Sequence, residues 1–158
     1  RVDLFLTSGG VSVGKKDIMH GVVPALGAER LFWRVCMKPG APAIAYTRGR
    51  MLGIALSGNP FAAYATFELM ARPAIARLAG ETDVLMPRRR AVLADAFPKP
   101  CHGRRFLRAR MEADGRVSLP DQHASGSLFS AAGCDAFVDV PAGTPPLAAG
   151  TEVEIVIL

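Results

Sequence analysis

The chain has 158 residues, the length of one average domain or of two small ones. Half of its residues are hydrophobic and 21% are charged, which excludes an intrinsically disordered chain, and no apolar run approaches the roughly 18 residues of a membrane-spanning helix. The net charge is +5, and because most of the basic residues are arginines it favours binding of phosphate-like anions without by itself indicating nucleic acid.

The cysteines and the first residues of the chain bear on its cellular context. Cys36, Cys101 and Cys134 form an odd set without CxxC spacing, which argues against a disulfide scaffold or a zinc ribbon and favours a reducing cytoplasm. The sequence begins at Arg1, within a predicted strand, without an initiator Met or a signal-peptide pattern. We therefore expect a fragment of a longer protein.

Residues 1–80 have the pattern of an α/β unit. The spacing predicts a buried parallel strand at Val2–Thr7 and a helix that Asp17 caps and Gly27 ends. Leu31–Met37 reads as one strand, and the segments 43–46 and 51–56 as a hairpin. Asn59 and Pro60 then open a second helix, which Pro73 interrupts and Gly80 ends.

Residues 81–158 have the pattern of a small all-β unit, and a linker at 80–88 is predicted between the two units. Asp114-Gly115 is a strong hairpin turn. Five short strands in this length predict a small barrel or a sandwich. The candidate strands are 90–94, 104–112, 117–119, 136–140 and 153–158.

The loop Thr7–Gly14 is the first candidate site, because it follows a strand at the edge where open α/β sheets bind ligands. Its glycines let the backbone approach an anion, although the sequence matches neither GxGxxG nor a Walker A loop. A tight turn without a ligand explains the loop equally well. Asp17 follows as a candidate metal ligand or catalytic carboxylate, and an ordinary helix cap is the alternative.

Two further strand ends offer anion-binding groups. In the segment Arg34–Pro42, Arg34, Cys36 and Lys38 are predicted to alternate onto one strand face, and an exposed basic edge is the alternative. The segment Leu56–Pro60 leads into a helix N-terminus, which favours an oxyanion, although a capped helix alone is more common. Three such loops from one sheet are predicted to surround one anionic ligand.

The second unit contributes arginines rather than metal ligands. Arg108 and Arg110 are predicted on one strand face, where they contact an anion or form a solvated surface. The segment 122–127 offers hydroxyl groups and backbone amides. The three histidines have no metal-ligand spacing, and no nucleophile elbow or HExxH motif is present.

Taken together, these segments resemble the molybdopterin molybdenumtransferase family, which includes MoeA and the E domain of gephyrin. The resemblance rests on DLFLTSGGVSVGKKD (3–17), WRVCMKPGAP (33–42), LSGNP (56–60), SGSLFS (125–130) and LAAGTEVE (147–154). It covers nearly the whole chain. It implies a partial, MogA-like, three-layer α/β domain at 1–80 followed by a small β-barrel domain at 81–158.

The resemblance also implies a function. Members of this family insert molybdate into adenylylated molybdopterin and release AMP, assisted by Mg²⁺. It makes Asp17 and Lys38 the catalytic residues, with Asp17 at the metal and adenylate. Lys38 and the Asn59-Pro60 turn are placed close to molybdate and the pterin phosphate, and Arg105 or Arg108 with Ser125 at the oxyanion. The substrate-binding set that it implies is Ser8, Gly9, Gly10, Ser12, Gly14, Arg34, Gly58, Asn59, Pro60, Arg105, Arg108 and Ser125.

Three positions depart from the family's pattern, since Arg34 and Ala41 stand where Lys is usual and Ser57 stands where Pro is usual. The expected protein is a cytoplasmic enzyme, homodimeric in its full-length form, that takes a small pterin substrate and has no nucleic-acid or membrane partner. As a fragment it is expected to be inactive alone. A pterin-binding or scaffold module without catalysis is the alternative.

Overall fold

A computed structural model describes residues 2–121, 126–127 and 129–158. The strands, in chain order, are β1 (Leu4–Ser8), β2 (Glu29–Trp33), β3 (Met37–Lys38), β4 (Ile44–Arg48), β5 (Met51–Leu56), β6 (Arg88–Val92), β7 (Arg104–Met111), β8 (Val117–Ser118), β9 (Ala136–Val140) and β10 (Glu152–Ile157). The helices are α1 (Met19–Ala25), α2 (Pro60–Thr66) and α3 (Arg72–Leu78), with a π-helical turn at Phe67–Ala71 and a 3₁₀ turn at Phe129–Ala131.

The chain divides into two compact units. The first comprises Arg1–Val35 and Gly40–Leu85, and the second comprises Cys36–Pro39 and Met86–Leu158. Within the described ranges, no helix is both long enough and apolar enough to cross a bilayer.

The first unit is built on a four-stranded sheet of order β1-β5-β4-β2. β1 runs parallel to β5, while β4 is antiparallel to both β5 and β2. Buried clusters lie on both faces of the sheet, one including Val23 of α1 and the other including Ala71 of the π-turn. The mixed α/β class predicted from the sequence is therefore confirmed.

Tyr46 and Gly53 face each other across the β4–β5 hairpin. The Tyr46 ring is 1% exposed and lies directly over Gly53, so that a Cβ at that position would overlap the ring. Burial raises the pKa of the Tyr46 hydroxyl. The absence of a side chain at Gly53 is thus what lets an aromatic ring pack flat on the sheet.

The predicted second helix is present from Pro60 to Leu78, but it contains the π-turn ahead of Pro73. Proline lacks an N–H group and its ring crowds the preceding turn, which a wider π-turn accommodates. Arg72 donates to both carboxylate oxygens of the buried Glu68 within that turn. The interruption predicted at Pro73 is therefore a local widening of the helix.

The single strand predicted at Leu31–Met37 was wrong, because the structure divides it. β2 ends at Trp33, and Arg34 adopts a left-handed backbone with φ of 69°. The following β3 pairs in parallel with β7 of the second unit. Arg34 and Lys38 therefore do not share one strand face.

The second unit contains every strand predicted for it, with ends shifted by one or two residues. Its ladder order is β3-β7-β9-β10-β6, with β8 paired to β7. The inner face carries the core, which includes Leu107, Val138 and Ile155. Among the described strands this ladder is open, so the predicted closed barrel is not formed. An isolated bridge between Leu93 and Val117 links β8 back to the chain after β6.

Candidate functional site

The carboxyl ends of β1 and β5 bring two of the predicted loops into contact. The Ser8 hydroxyl donates to the carbonyl oxygen of Ser57 at 3.2 Å, and the Gly9 N–H donates to the Leu56 carbonyl at 3.0 Å. The two strands are adjacent and parallel, so both loops leave the sheet at the same edge. This is the edge where open α/β sheets bind ligands.

Glycine is required where these loops touch. Gly9 and Gly10 have φ values of 84° and 72°, which side chains rarely allow. A Cβ on Gly58 would lie 3.3 Å from the Cα of Gly9. The two backbones therefore approach as closely as they do because neither carries a side chain there.

The remainder of the first loop is held by side chains from two other elements. Trp33 Nε1 donates to the Val11 carbonyl at 2.9 Å, and His20 Nε2 lies 2.9 Å from the Ser12 carbonyl. The His20 and Trp33 rings meet edge to face with centroids 4.5 Å apart. Sequence reasoning missed both residues, because their contacts join positions 8 and 22 residues apart.

The sequence predicted that Asp17 caps the first helix, and this prediction was wrong. α1 begins at Met19 with Ile18 at its N-cap, and no side chain caps it. Asp17 Oδ2 instead accepts the Gly14 N–H at 2.5 Å. The carboxylate therefore closes the turn 14–17, and the Gly14 N–H of this loop donates to a carboxylate oxygen.

Arg34 lies at the end of β2 in a strained conformation. Its backbone N–H donates to the Ala43 carbonyl at 3.0 Å, and its guanidinium lies 5.7 Å from the centre of the Trp33 ring. A left-handed, non-glycine residue costs conformational energy and is often found at functional positions. Asn59 precedes Pro60 at the N-cap of α2, as predicted.

Lys38 lies in the second unit, beside Arg105 in the β3–β7 pair. The Arg105 guanidinium stands 4.9 Å from the centre of the Phe97 ring. Burial raises the pKa of the nearby Cys101 thiol, while the charges of Arg105 and Lys38 oppose that rise. Two cations thus lie together around a buried thiol, a relationship that spacing alone did not reveal.

Arg108 is the most deeply buried cation of the described residues, with 1% exposure. Its Nη1 donates to the Ser127 carbonyl at 2.7 Å, and burial lowers the pKa of its guanidinium. A buried guanidinium is costly unless it is hydrogen-bonded, so this contact is structurally important. Ser125, the other candidate of this segment, lies outside the described residues.

Asp139 is a charged residue that sequence reasoning overlooked. It accepts hydrogen bonds from Arg104 at 2.8 Å and 2.5 Å and from Arg88 at 2.8 Å. Burial opposes its ionisation, but these bonds outweigh burial and hold the pKa of the carboxyl below its ordinary value. The sequence does contain an indication of this role, because Asp139 is the one charged residue in the apolar strand AFVDV.

The structure therefore brings the sequence candidates together in two sets. The loops after β1 and β5 meet in the first unit, and Lys38 meets Arg105 in the second. The prediction that all three loops leave one sheet was wrong, because β3 belongs to the other sheet, and the surrounding of one anionic ligand by the three loops stays a prediction. Within the described part of the chain, no three His, Cys, Asp or Glu side chains cluster as a metal site.

Comparison with known proteins gives the family. The model described as "Probable molybdopterin binding domain" matches residues 1–77, and the model described as "MoeA C-terminal region (domain IV)" matches residues 90–158. A molybdopterin molybdenumtransferase of Bacillus subtilis (strain 168) is 36% identical over 162 residues, covering 100% of this chain. The chain belongs to the MoeA family.

Other members of the MoeA family agree with that assignment. A molybdopterin molybdenumtransferase of Staphylococcus aureus (strain Mu50 / ATCC 700699) is 34% identical over 159 residues, which is 98% of this chain. A solved molybdenum cofactor biosynthesis protein from Pyrococcus furiosus superposes with a TM-score of 0.71 at 26% identity, over 99% of this chain and 49% of that one. The chain spans 37% and 38% of the two curated relatives' own length.

Proposed function

We propose that this chain belongs to an enzyme of molybdenum cofactor biosynthesis, which inserts molybdate into adenylylated molybdopterin and releases AMP. In this proposal residues 1–80 form the C-terminal half of a molybdopterin-binding α/β domain, and residues 81–158 form the C-terminal β domain. The single observation that carries it is the meeting of the two glycine loops at the ends of β1 and β5, within a MoeA-family chain.

The glycine loops bind the phosphate groups of the pterin substrate. Their backbones approach each other without side chains, and the Gly14 N–H already donates to a carboxylate, so the loop chemistry suits an oxyanion. Backbone amides are effective partners for phosphate because their hydrogen bonds to an anion are charge-assisted. The residues assigned to this role are Ser8, Gly9, Gly10, Ser12, Gly14, Gly58, Asn59 and Pro60.

The cations of the proposal bind the oxyanions. Lys38 and Arg105 lie side by side on paired strands, and a dianion such as molybdate offsets the repulsion between two adjacent positive charges. Arg34, Arg108 and Ser125 complete the proposed set. Arg108 differs from the other two arginines because its guanidinium is buried and hydrogen-bonded to a carbonyl, which favours a role in supporting the 126–127 backbone.

Asp17 is the proposed catalytic carboxylate and the proposed ligand of Mg²⁺. Magnesium in phosphate-transfer sites takes one or two carboxylates, with phosphate oxygens and waters supplying the rest. One half-buried carboxylate beside the glycine loop fits that minimal requirement. When bound, the ion offsets negative charge on the phosphoanhydride. Asp17 itself orders the turn that presents the loop amides, through its bond to Gly14.

The cellular setting and assembly are part of the same proposal. No disulfide joins Cys36, Cys101 and Cys134, all of which lie in the described ranges, and this is compatible with a reducing cytoplasm. We propose a cytoplasmic enzyme that is homodimeric in its full-length form and takes a small-molecule pterin and molybdate.

The test separates catalysis from binding in the full-length protein. Asp17→Ala is expected to abolish AMP release from adenylylated molybdopterin while largely sparing pterin binding, measured by product assay and by calorimetry. Asp83→Ala, which removes an exposed carboxylate in the segment between the two family matches, is the matched control and should retain both. Unchanged AMP release in Asp17→Ala would refute the catalytic role.

A further inference from the structure

Two aromatic side chains hold consecutive carbonyl groups of the loop after β1. Trp33 ends β2 and donates to the Val11 carbonyl, while His20 lies on α1 beside the Ser12 carbonyl, each at 2.9 Å. Because a carbonyl oxygen only accepts hydrogen bonds, His20 Nε2 carries the hydrogen in this contact. The two rings contact each other edge to face with centroids 4.5 Å apart, so the two donors come from neighbouring side chains.

The direction of these carbonyls fixes the direction of two amides. In a trans peptide the C=O of one residue and the N–H of the next point in opposite directions. The Val11 carbonyl faces Trp33, so the Ser12 N–H points away from it. The Ser12 carbonyl faces His20, so the Val13 N–H points away as well. Two successive N–H groups therefore face the same side, which is the arrangement of a backbone anion site.

We propose that Trp33 and His20 are positioning residues that turn the amides of Ser12 and Val13 toward the phosphate of the substrate. This inference rests on the proposed function of the glycine loop as a phosphate site. Two independent elements, β2 and α1, provide the donors, and Trp33 packs against the same buried cluster as Val11 and Val23. Trp33 and His20 therefore connect the loop to the core of the first unit.

The experiment compares substitutions that keep the ring with substitutions that keep the donor. Trp33→Phe and His20→Phe retain aromatic packing but lose the N–H donor, whereas His20→Gln keeps a donor to the Ser12 carbonyl. His102→Phe, in an exposed position of the second unit, is the matched control. Inorganic pyrophosphate is the probe, and its affinity for the full chain is measured by calorimetry alongside the melting temperature.

We expect Trp33→Phe and His20→Phe to bind pyrophosphate about tenfold more weakly, because a misdirected amide loses a charge-assisted hydrogen bond. His20→Gln should restore most of the affinity, and His102→Phe should leave it unchanged. Rescue by Gln separates positioning from packing, because Gln does not reproduce the ring. Folded Trp33→Phe and His20→Phe proteins with unchanged affinity would overturn the proposal.

A second measurement needs no variant. Hydrogen exchange at the Ser12 and Val13 amides should slow on adding pyrophosphate to the unsubstituted chain, and Trp33, the sole tryptophan of the sequence, should change its emission. Protection of other loop amides without Ser12 and Val13 would overturn the positioning proposal alone. Absence of any pyrophosphate binding to the unsubstituted chain would instead overturn the proposed phosphate site.

Discussion

Gly9 and Gly58 pack backbone against backbone, and a Cβ on Gly58 would stand 3.3 Å from the Cα of Gly9. We predict that Gly58→Ala forces the two loops apart by a few tenths of an ångström. The expected cost is about 1 kcal/mol in the free energy of unfolding, because overpacking in a tight contact is destabilising. Pyrophosphate affinity should fall as well, measured by calorimetry on the folded protein.

The control for that substitution is Gly103→Ala. A Cβ there would meet no atom within 4 Å, and the backbone of Gly103 is not left-handed. Gly103→Ala should leave the free energy of unfolding and the affinity for pyrophosphate nearly unchanged. Equal effects of the two substitutions would show that the Gly9–Gly58 contact has no special importance.

Gly53 and Tyr46 make a stronger prediction about the core of the first unit. Gly53→Ala inserts a methyl group into the space of the Tyr46 ring, and we expect a loss of about 3 kcal/mol in the free energy of unfolding. Urea unfolding measures it. The same change in a Tyr46→Leu background should cost much less, because the two positions are in direct contact. Additive effects of the two substitutions would contradict the packing described for this pair.

Most of the strands and turns could be predicted from the sequence, because short apolar runs and glycine turns are local features of the chain. Asp114-Gly115 shows this, since Gly115 is left-handed with φ of 85° and joins β7 to β8 as predicted. The division at Arg34 was not predictable in the same way. Arginine rarely adopts the left-handed backbone conformation by its own preference, so tertiary structure imposes it at Arg34. The residue type therefore does not indicate that a strand ends there.

Asp139 predicts how stability depends on pH. Its hydrogen bonds from Arg104 and Arg88 hold the pKa of the carboxyl below the unfolded value, so the stability it contributes is present at neutral pH and is lost as the pH falls through the folded pKa. Asp139→Asn should therefore lower the free energy of unfolding by about 2 kcal/mol at pH 7. Urea unfolding between pH 7 and pH 3 measures this.

The difference in the free energy of unfolding between Asp139→Asn and the unsubstituted protein should narrow as the pH falls, because protonation of Asp139 removes the charge that Asn already lacks. Asp83→Asn, at an exposed position, provides the control and should show no such narrowing. If the free energies of unfolding of Asp139→Asn and of the unsubstituted protein differed by the same amount at every pH, the ionised hydrogen bonds of Asp139 to Arg104 and Arg88 would be contradicted.

Lys38 and Arg105 give a prediction for the second unit. Lys38→Gln and Arg105→Gln should each weaken molybdate binding to the full-length protein about tenfold, because each removes a charged hydrogen-bond donor from the pair. Equilibrium dialysis measures the change. Lys99→Gln is the control, since Lys99 is exposed and lies between two prolines. Equal affinities in all three variants would remove these cations from the proposed site.

The candidate site was only partly predictable, and the reason is the distance between its parts along the chain. Glycine loops and their strand ends are local patterns, so the segments around Gly9 and Gly58 were visible in the sequence. The partners of Asp17, His20 and Trp33 were not, because each depends on which backbone group the folded loop presents. Asp17 also shows that a residue well suited to cap a helix can bond to its own loop instead.

The proposed activity of the protein containing this chain is the insertion of molybdate into adenylylated molybdopterin. The most direct measurement is AMP release by the full-length protein, with saturating adenylylated molybdopterin, in the presence and absence of molybdate. We predict that AMP appears only with molybdate and in equal amount to molybdenum-loaded pterin. Pterin binding without molybdate-dependent AMP release would contradict the claim and would favour a binding or scaffold role.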